Sequence, residues 1–243
     1  MLVTEGHLLG GRVRYAQPSA GYRSGIEPVL LAASVPATGG ERVLEAGSGA
    51  GATLLCLAAR VPGVSGTGVE RDPAMVALAR RNAADNGFDA LQFWPGDIEN
   101  PSLLGSLNRP FDHACANPPY HAEGTPSPIP GREAAKRAGS EAISTWMTRL
   151  SAALKPQGTL TLVLSAVQVP LCLRTMEQVG CGSGALLPLW PRSEQAAKLV
   201  LLRMAKGGRS AFRILPGLVL HEGEHAYTPA AEAILRGGSA LPM

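Results

Sequence analysis

The stretch "ERVLEAGSGAGATLLCLAARV", residues 41–61, decides the fold. A short apolar run around Val43 and Leu44 leads into Gly47, Gly49 and Gly51, and a segment rich in Ala and Leu follows. Strand, glycine turn and helix in that order open a βαβ unit. The glycines let the backbone approach a ligand and adopt positive φ. The helix N-terminus beside them offers unpaired N–H groups. The spacing also satisfies G-x-G-x-x-A through Ala52, the dinucleotide fingerprint. Glu45 argues against a dinucleotide. A carboxylate just before the glycines repels a pyrophosphate and suits a ligand that carries an ammonium group and no phosphate.

Outward from this unit the pattern repeats. "GVSGTGVE" (63–70), "ALQFWPGD" (90–97), "FDHACAN" (111–117), "TLTLVLS" (159–165) and "AKLVLLRM" (197–204) read as strands. Helical segments lie between them. One runs over 72–87, with Asp72 as N-cap, Pro73 in the first turn and Asn86-Gly87 as the stop. Another is expected over 140–158, capped by Ser140, and a third near 168–179. Such alternation implies parallel strands joined by right-handed crossovers, an α/β doubly wound sheet. Three regions stand outside it: residues 1–40, residues 205–243, and a Pro- and Gly-rich loop over 121–139, of a length that marks either a functional lid or a disordered segment.

The bulk properties exclude several classes. With 243 residues, 45% apolar and 17% charged, the chain is an ordinary globular protein with one sizeable core. A net charge of +3 permits a basic patch without announcing nucleic acid. Cys56, Cys115, Cys172 and Cys181 are scattered, with no metal-ligand spacing, so they read as reduced core thiols of a cytoplasmic protein, and no metal is expected. The first residues lack the pattern of a signal peptide, and no apolar run approaches the ~18 residues of a membrane span.

The chemistry-bearing residues fall at the ends of successive strands, along one edge of one sheet. Glu70 ends the second strand, where an acid can accept both hydroxyls of a ribose. Asp97 follows the third and can accept from the amine of an adenine, with Ile98 packing on the ring face. Asn117-Pro118-Pro119-Tyr120 follows the fourth. Proline has no N–H and forces the residue before it out of the helical region, so this segment is extended and stiff. A stiff amide next to a stiff aromatic ring can surround a planar nitrogen. His113 and His121 flank the motif. His113 is expected in or beside the sheet, and His121 is exposed next to the ring.

Together these residues resemble the class I S-adenosylmethionine-dependent methyltransferases over about residues 41–204. "LEAGSGAG" is similar to their cofactor loop, and "NPPY" to the [DNS]-P-P-[YFW] motif of members that methylate a planar amine. The resemblance implies a Rossmann-like sheet of seven strands, mostly parallel, with an antiparallel strand near the C-terminus. It implies S-adenosylmethionine as cofactor, held by Arg23, Glu45, Gly47, Gly49, Gly51, Glu70, Asp97, Ile98 and Asn117. It makes Asn117 and the Pro118 carbonyl acceptors for the target NH₂, and Tyr120 its stacking face. "GYRSGIEPVLLAAS" adds Gly21, Arg23, Leu30 and Leu31, with Glu27 where an Asp is usual, and resembles bacterial tRNA(Val) adenine-N6 methyltransferases, as does the tail "LVLHEGEHAYTPAAEAILRGG".

The expectation is therefore an N-methyltransferase acting on the N6 amine of an adenine in structured RNA, a tRNA being the leading case. Residues 1–40 would cover cofactor and substrate, 41–204 form the methyltransferase domain, and 205–243 an extension packed on it. Tyr120, His121, Arg132, Lys136 and Arg137 would touch the RNA, the basic three through phosphates. Arg12 and Arg14 are further phosphate candidates. The alternatives keep the cofactor and change the rest: guanine N2 of ribosomal RNA, a glutamine amide of a release factor, or a binding module without turnover. A nicotinamide-dependent oxidoreductase leaves Glu45 and the NPPY motif without a role.

Overall fold

A computed structural model describes residues 2–20, 24–107, 110–118, 132–223 and 226–243, and of 132–140 the backbone alone. The chain opens with an antiparallel hairpin, β1 (Val3–Leu8) and β2 (Val13–Pro18), followed by α1 (Glu27–Ser34). The expected alternation then begins: β3 (Arg42–Ala46), α2 (Ala52–Arg60), β4 (Ser65–Glu70), α3 (Pro73–Asp85) and β5 (Leu91–Pro95). After a short α4 (Leu103–Ser106) come β6 (Phe111–Ala116), α5 (Arg132–Ala153), β7 (Leu154–Ser165), α6 (Val169–Gln178), β8 (Cys181–Trp190) and β9 (Leu199–Lys206).

These seven core strands form one sheet in the order β8-β9-β7-β6-β3-β4-β5. β9 runs antiparallel to both neighbours and the others are parallel. Two two-residue strands, β10 (Arg213–Ile214) and β11 (Leu218–Val219), add alongside β8 and bring the sheet to nine. A small hairpin, β12 (His221–Glu222) with β13 (Ala226–Tyr227), and α7 (Pro229–Leu235) complete the fold.

Side chains alternate across a strand, so β3 feeds both faces. Val43 packs with α1, α2, α3 and the N-terminal hairpin; Leu44 and Ala46 pack with α5 and α6. Asp72 caps α3 as its sequence dictates, accepting from the N–H of Ala74. The chain continues from β3 to β4 to β5 on one side, then crosses to β6 on the other side of β3. That reversal creates a crevice beyond the strand ends between β3 and β6, where open α/β sheets bind ligands.

Three elements differ from expectation. α5 starts at Arg132, so Ser140 lies inside the helix and does not cap it. "REAAKRA" is built of good helix formers, and an interior Gly-Ser costs less than the added turns gain. Second, Pro156 and Gly158 do not follow a helix. They lie in an irregular first part of β7, where the register against β6 shifts between Phe111 and His113. Third, β8 carries Gly182, Ser183, Gly184 and Pro188, a composition that hides a strand. Its ladder to β9 holds it, with the irregularity confined between Gly182 and Ala185.

Candidate functional site

The register sets out the site. Ala46 of β3 pairs with Val69 of β4 on one side and with Ala116 of β6 on the other. One residue on, Gly47 stands between Glu70 and Asn117. Glu70 pairs with Pro95 of β5, and Asp97 follows two residues later. Strands lie ~4.8 Å apart, so Asp97, Glu70, Gly47 and Asn117 form a row about 15 Å long. That is the length of a nucleoside with an amino-acid tail.

The glycine loop is tied down by its own backbone. Gly47 and Ser48 donate to the Val69 carbonyl at 2.8 and 3.1 Å, and Gly51 donates to Ser48 at 2.8 Å. Gly47 and Gly51 both sit at positive φ, 66° and 89°. A Cβ at Gly47 would stand 2.8 Å from the Trp146 indole, and one at Gly51 2.9 Å from the Phe93 ring, so neither position admits a side chain. Glu70 accepts the Gly49 N–H on Oε2 and the Asp72 N–H on Oε1, each at 3.0 Å. One lone pair on each oxygen remains for a ligand.

Glu45 lies beneath this row, close enough to Glu70 to feel its charge. Its side chain is 2% exposed and lies under the loop against the first turn of α2, where it meets the Thr53 side chain and the Leu54 N–H. Removal from water raises its pKa to about 8, and the nearby Glu70 charge adds to this against the pull of those two hydrogen bonds. Its Oε2 is buried with no hydrogen-bond partner among the described residues.

Asp97 is exposed and turns one oxygen back on its own chain, accepting the Glu99 N–H at 2.9 Å. Ile98 is 3% exposed and packs into the core with Leu44 and Val69, so it offers a ligand little open face. Sequence reasoning missed Trp146. Its ring edge lies against Gly47 and its Nε1 donates to Glu99 at 3.2 Å, so it bridges the loop and the Asp97 turn. On an amphipathic helix it reads as an ordinary core residue.

Asn117 follows β6, and its Oδ1 is buried with no hydrogen-bond partner among the described residues; Pro118 is buried beside it. Tyr120, His121, Gly21 and Arg23 lie outside the described residues, as do the side chains of Arg132, Lys136 and Arg137. The backbone places those last three in the first two turns of α5. His113 lies lower in β6, bonded to Thr159 at 2.8 Å and Glu41 at 3.1 Å, away from the strand ends. Arg12 does not face the crevice either: it donates to the carbonyls of Ala59, near the far end of α2, and Gly237. All four cysteines are free and buried. No group of three or more metal-ligating side chains converges among the described residues, and no helix there is long and apolar enough to cross a membrane.

The profile of the methyltransferase domain family matches residues 37–179, more than half of the chain. A tRNA1(Val) (adenine(37)-N6)-methyltransferase of Porphyromonas gingivalis is 32% identical over 157 residues, 60% of this chain and 60% of that one. A release factor glutamine methyltransferase of Deinococcus radiodurans is 33% identical over 147 residues, 57% of this chain and 51% of that one. The matches thus span half to three-fifths of these relatives' own length. In fold, the chain is similar to a predicted O-methyltransferase from Agrobacterium tumefaciens, with a TM-score of 0.75 at 24% identity over 89% of this chain and 99% of that one.

Proposed function

The chain belongs to the methyltransferase domain family, and on that premise we propose that it methylates the N6 amine of an adenine in a structured RNA, with tRNA as the substrate class. The observation that carries this is Asn117. A buried amide oxygen with no partner among the described residues is costly unless a donor reaches it, and this one stands at the switch point next to the glycine loop. It is an acceptor awaiting a donor, and an exocyclic NH₂ is such a donor. The likeness to the tRNA methyltransferase supports the nucleotide reading. The similar likeness to a glutamine methyltransferase shows that this core region is common to relatives of both names.

The residues present fit S-adenosylmethionine. Glu70 keeps a lone pair on each oxygen for a ribose. Among the described residues a Cβ at Gly49 would meet only the Met75 methyl, at 3.8 Å, so that part of the loop has room for a ligand. Beneath it Glu45 keeps one oxygen without a hydrogen-bond partner among the described residues. When bound, the cofactor supplies an electrophilic methyl group on a sulfonium. The protein's share is positioning. Glu70 and the loop orient the donor, and Asp97 marks its purine end. Asn117 and the Pro118 carbonyl accept the two protons of the target amine, which aims its lone pair along the row. As positive charge grows on that nitrogen, the same acceptors stabilise it. The proton leaves to solvent after transfer.

Residues 1–40 then act as the cover over cofactor and base, 41–204 as the catalytic domain and 205–243 as an extension. Such an enzyme would work in the cytoplasm. Incubation with S-adenosylmethionine labelled in the methyl group tests the reading against total tRNA, ribosomal RNA and total protein in parallel. Label in tRNA that digests to N6-methyladenosine supports it. Label confined to protein overturns it.

A further inference from the structure

Asn82 stands on α3 with its side chain 1% exposed, and its amide is engaged on both atoms. Oδ1 accepts the Ala16 N–H at 2.9 Å. Nδ2 donates one proton to the Ala16 carbonyl at 2.9 Å and the other to the Ala50 carbonyl at 3.0 Å. One turn later Asn86 repeats the first half: it accepts from Arg14 N–H and donates to the Arg14 carbonyl, both at 2.8 Å. Two strand residues rise ~6.8 Å and four helical residues ~6 Å, so the two amides run along β2 in register. They act as a surrogate strand. In an antiparallel pair alternate residues turn their N–H and C=O outward, and here the outward groups are those of Arg14 and Ala16.

Of the two asparagines, Asn82 alone extends to the glycine loop. The Ala50–Gly51 peptide is held from both sides, its carbonyl by Asn82 and its N–H by the Ser48 carbonyl at 2.8 Å. The orientation of that plane, and with it the path of the loop, is set from α3. The same strand grips the chain beyond residue 23: Ser24 donates its N–H to the Gln17 side chain at 3.1 Å, and its hydroxyl pairs with that of Tyr15 at 2.8 Å. A cavity of about 300 Å³ at the hairpin–α3 seam is lined by Glu5, Arg14, Arg81 and Asp85, charges of mixed sign away from the strand ends.

We propose that Asn82 is a positioning residue that locks the glycine loop to the N-terminal hairpin, so that filling the loop and firming the hairpin are one coupled event. This rests on the reading that the loop holds S-adenosylmethionine. The test is amide exchange followed by NMR, with and without S-adenosylhomocysteine, in the parent, Asn82→Ala and Asn86→Ala. In the parent, the ligand slows exchange at Gly49 and Gly51 and at Ala16 together. In Asn86→Ala, Arg14 exchanges faster, yet Ala16 still responds and affinity stays within about twofold. In Asn82→Ala, affinity falls about tenfold and Ala16 no longer responds. Slowing of the loop with Ala16 unchanged in the parent overturns the coupling while leaving the cofactor reading intact; the parent arm decides this even if a variant does not fold. A loop indifferent to the ligand overturns the cofactor reading, and the coupling with it.

Discussion

Glu70 fastens the glycine loop while keeping lone pairs for a ligand, so its removal acts twice. Glu70→Ala loses charge-assisted acceptors worth roughly 1.5–3 kcal/mol and also releases the Gly49 N–H. Calorimetry should show S-adenosylmethionine binding at least about tenfold weaker; unchanged affinity would take Glu70 out of the site. Glu45 gives a prediction about stability. Its ordinary value is 4.5 and burial raises it to about 8 in the folded protein. Between those values the folded state keeps a proton that the unfolded chain has lost. Stability from this group is therefore complete below about pH 4.5 and is lost as pH rises through about 8. Without ligand, the melting temperature should fall from pH 6 to 9 more steeply in the parent than in Glu45→Gln. Equal slopes would mean that Glu45 does not carry the proton. Glu45 and Asn117 could be singled out in the sequence because glycines and prolines point to them. Asn82 and Trp146 could not, because a polar or aromatic residue on a helix acquires its role only from the loop it meets in the fold.

At the scale of elements, β3 to β6 were legible to within about two residues, whereas β7 starts at Leu154, well before the strand read over 159–165. The glycine turn was legible too. What could not be read was decided by tertiary pairing: β8 survives its glycines and proline through its ladder to β9. The early start of α5 has a functional consequence. The helix has 22 residues, about 33 Å at ~1.5 Å per residue, and its first core residue among the described side chains is Ile143. We propose that its first turns, which carry Arg132, Lys136 and Arg137, reach past the strand ends toward the substrate RNA. Replacing all three by alanine should weaken RNA binding and flatten its salt dependence by about one unit of slope per lost phosphate contact. Titrations at several salt concentrations that give the parent's affinity and slope would remove these turns from the substrate path.

Across the whole molecule, the doubly wound sheet lines up Asp97, Glu70, Gly47 and Asn117, and the appended pieces attach to it from both ends of the chain. The hairpin is clipped to α3 through Asn82 and Asn86, while β10 and β11 extend the sheet at β8. The alternation of the sequence announced the sheet. It could not announce the clips, which join residues 66 and 72 positions apart. All of this positions one amide oxygen at the switch point, beside the glycine loop. Asn117→Ala should leave S-adenosylmethionine affinity within about twofold and the fold intact. Its single-turnover rate of methyl transfer, at saturating S-adenosylmethionine and tRNA, should fall on the order of a hundredfold or more, the loss typical of one preorganised acceptor. A near-parental rate under those conditions would contradict the account and make the Asn-Pro-Pro-Tyr segment no more than a stiff turn.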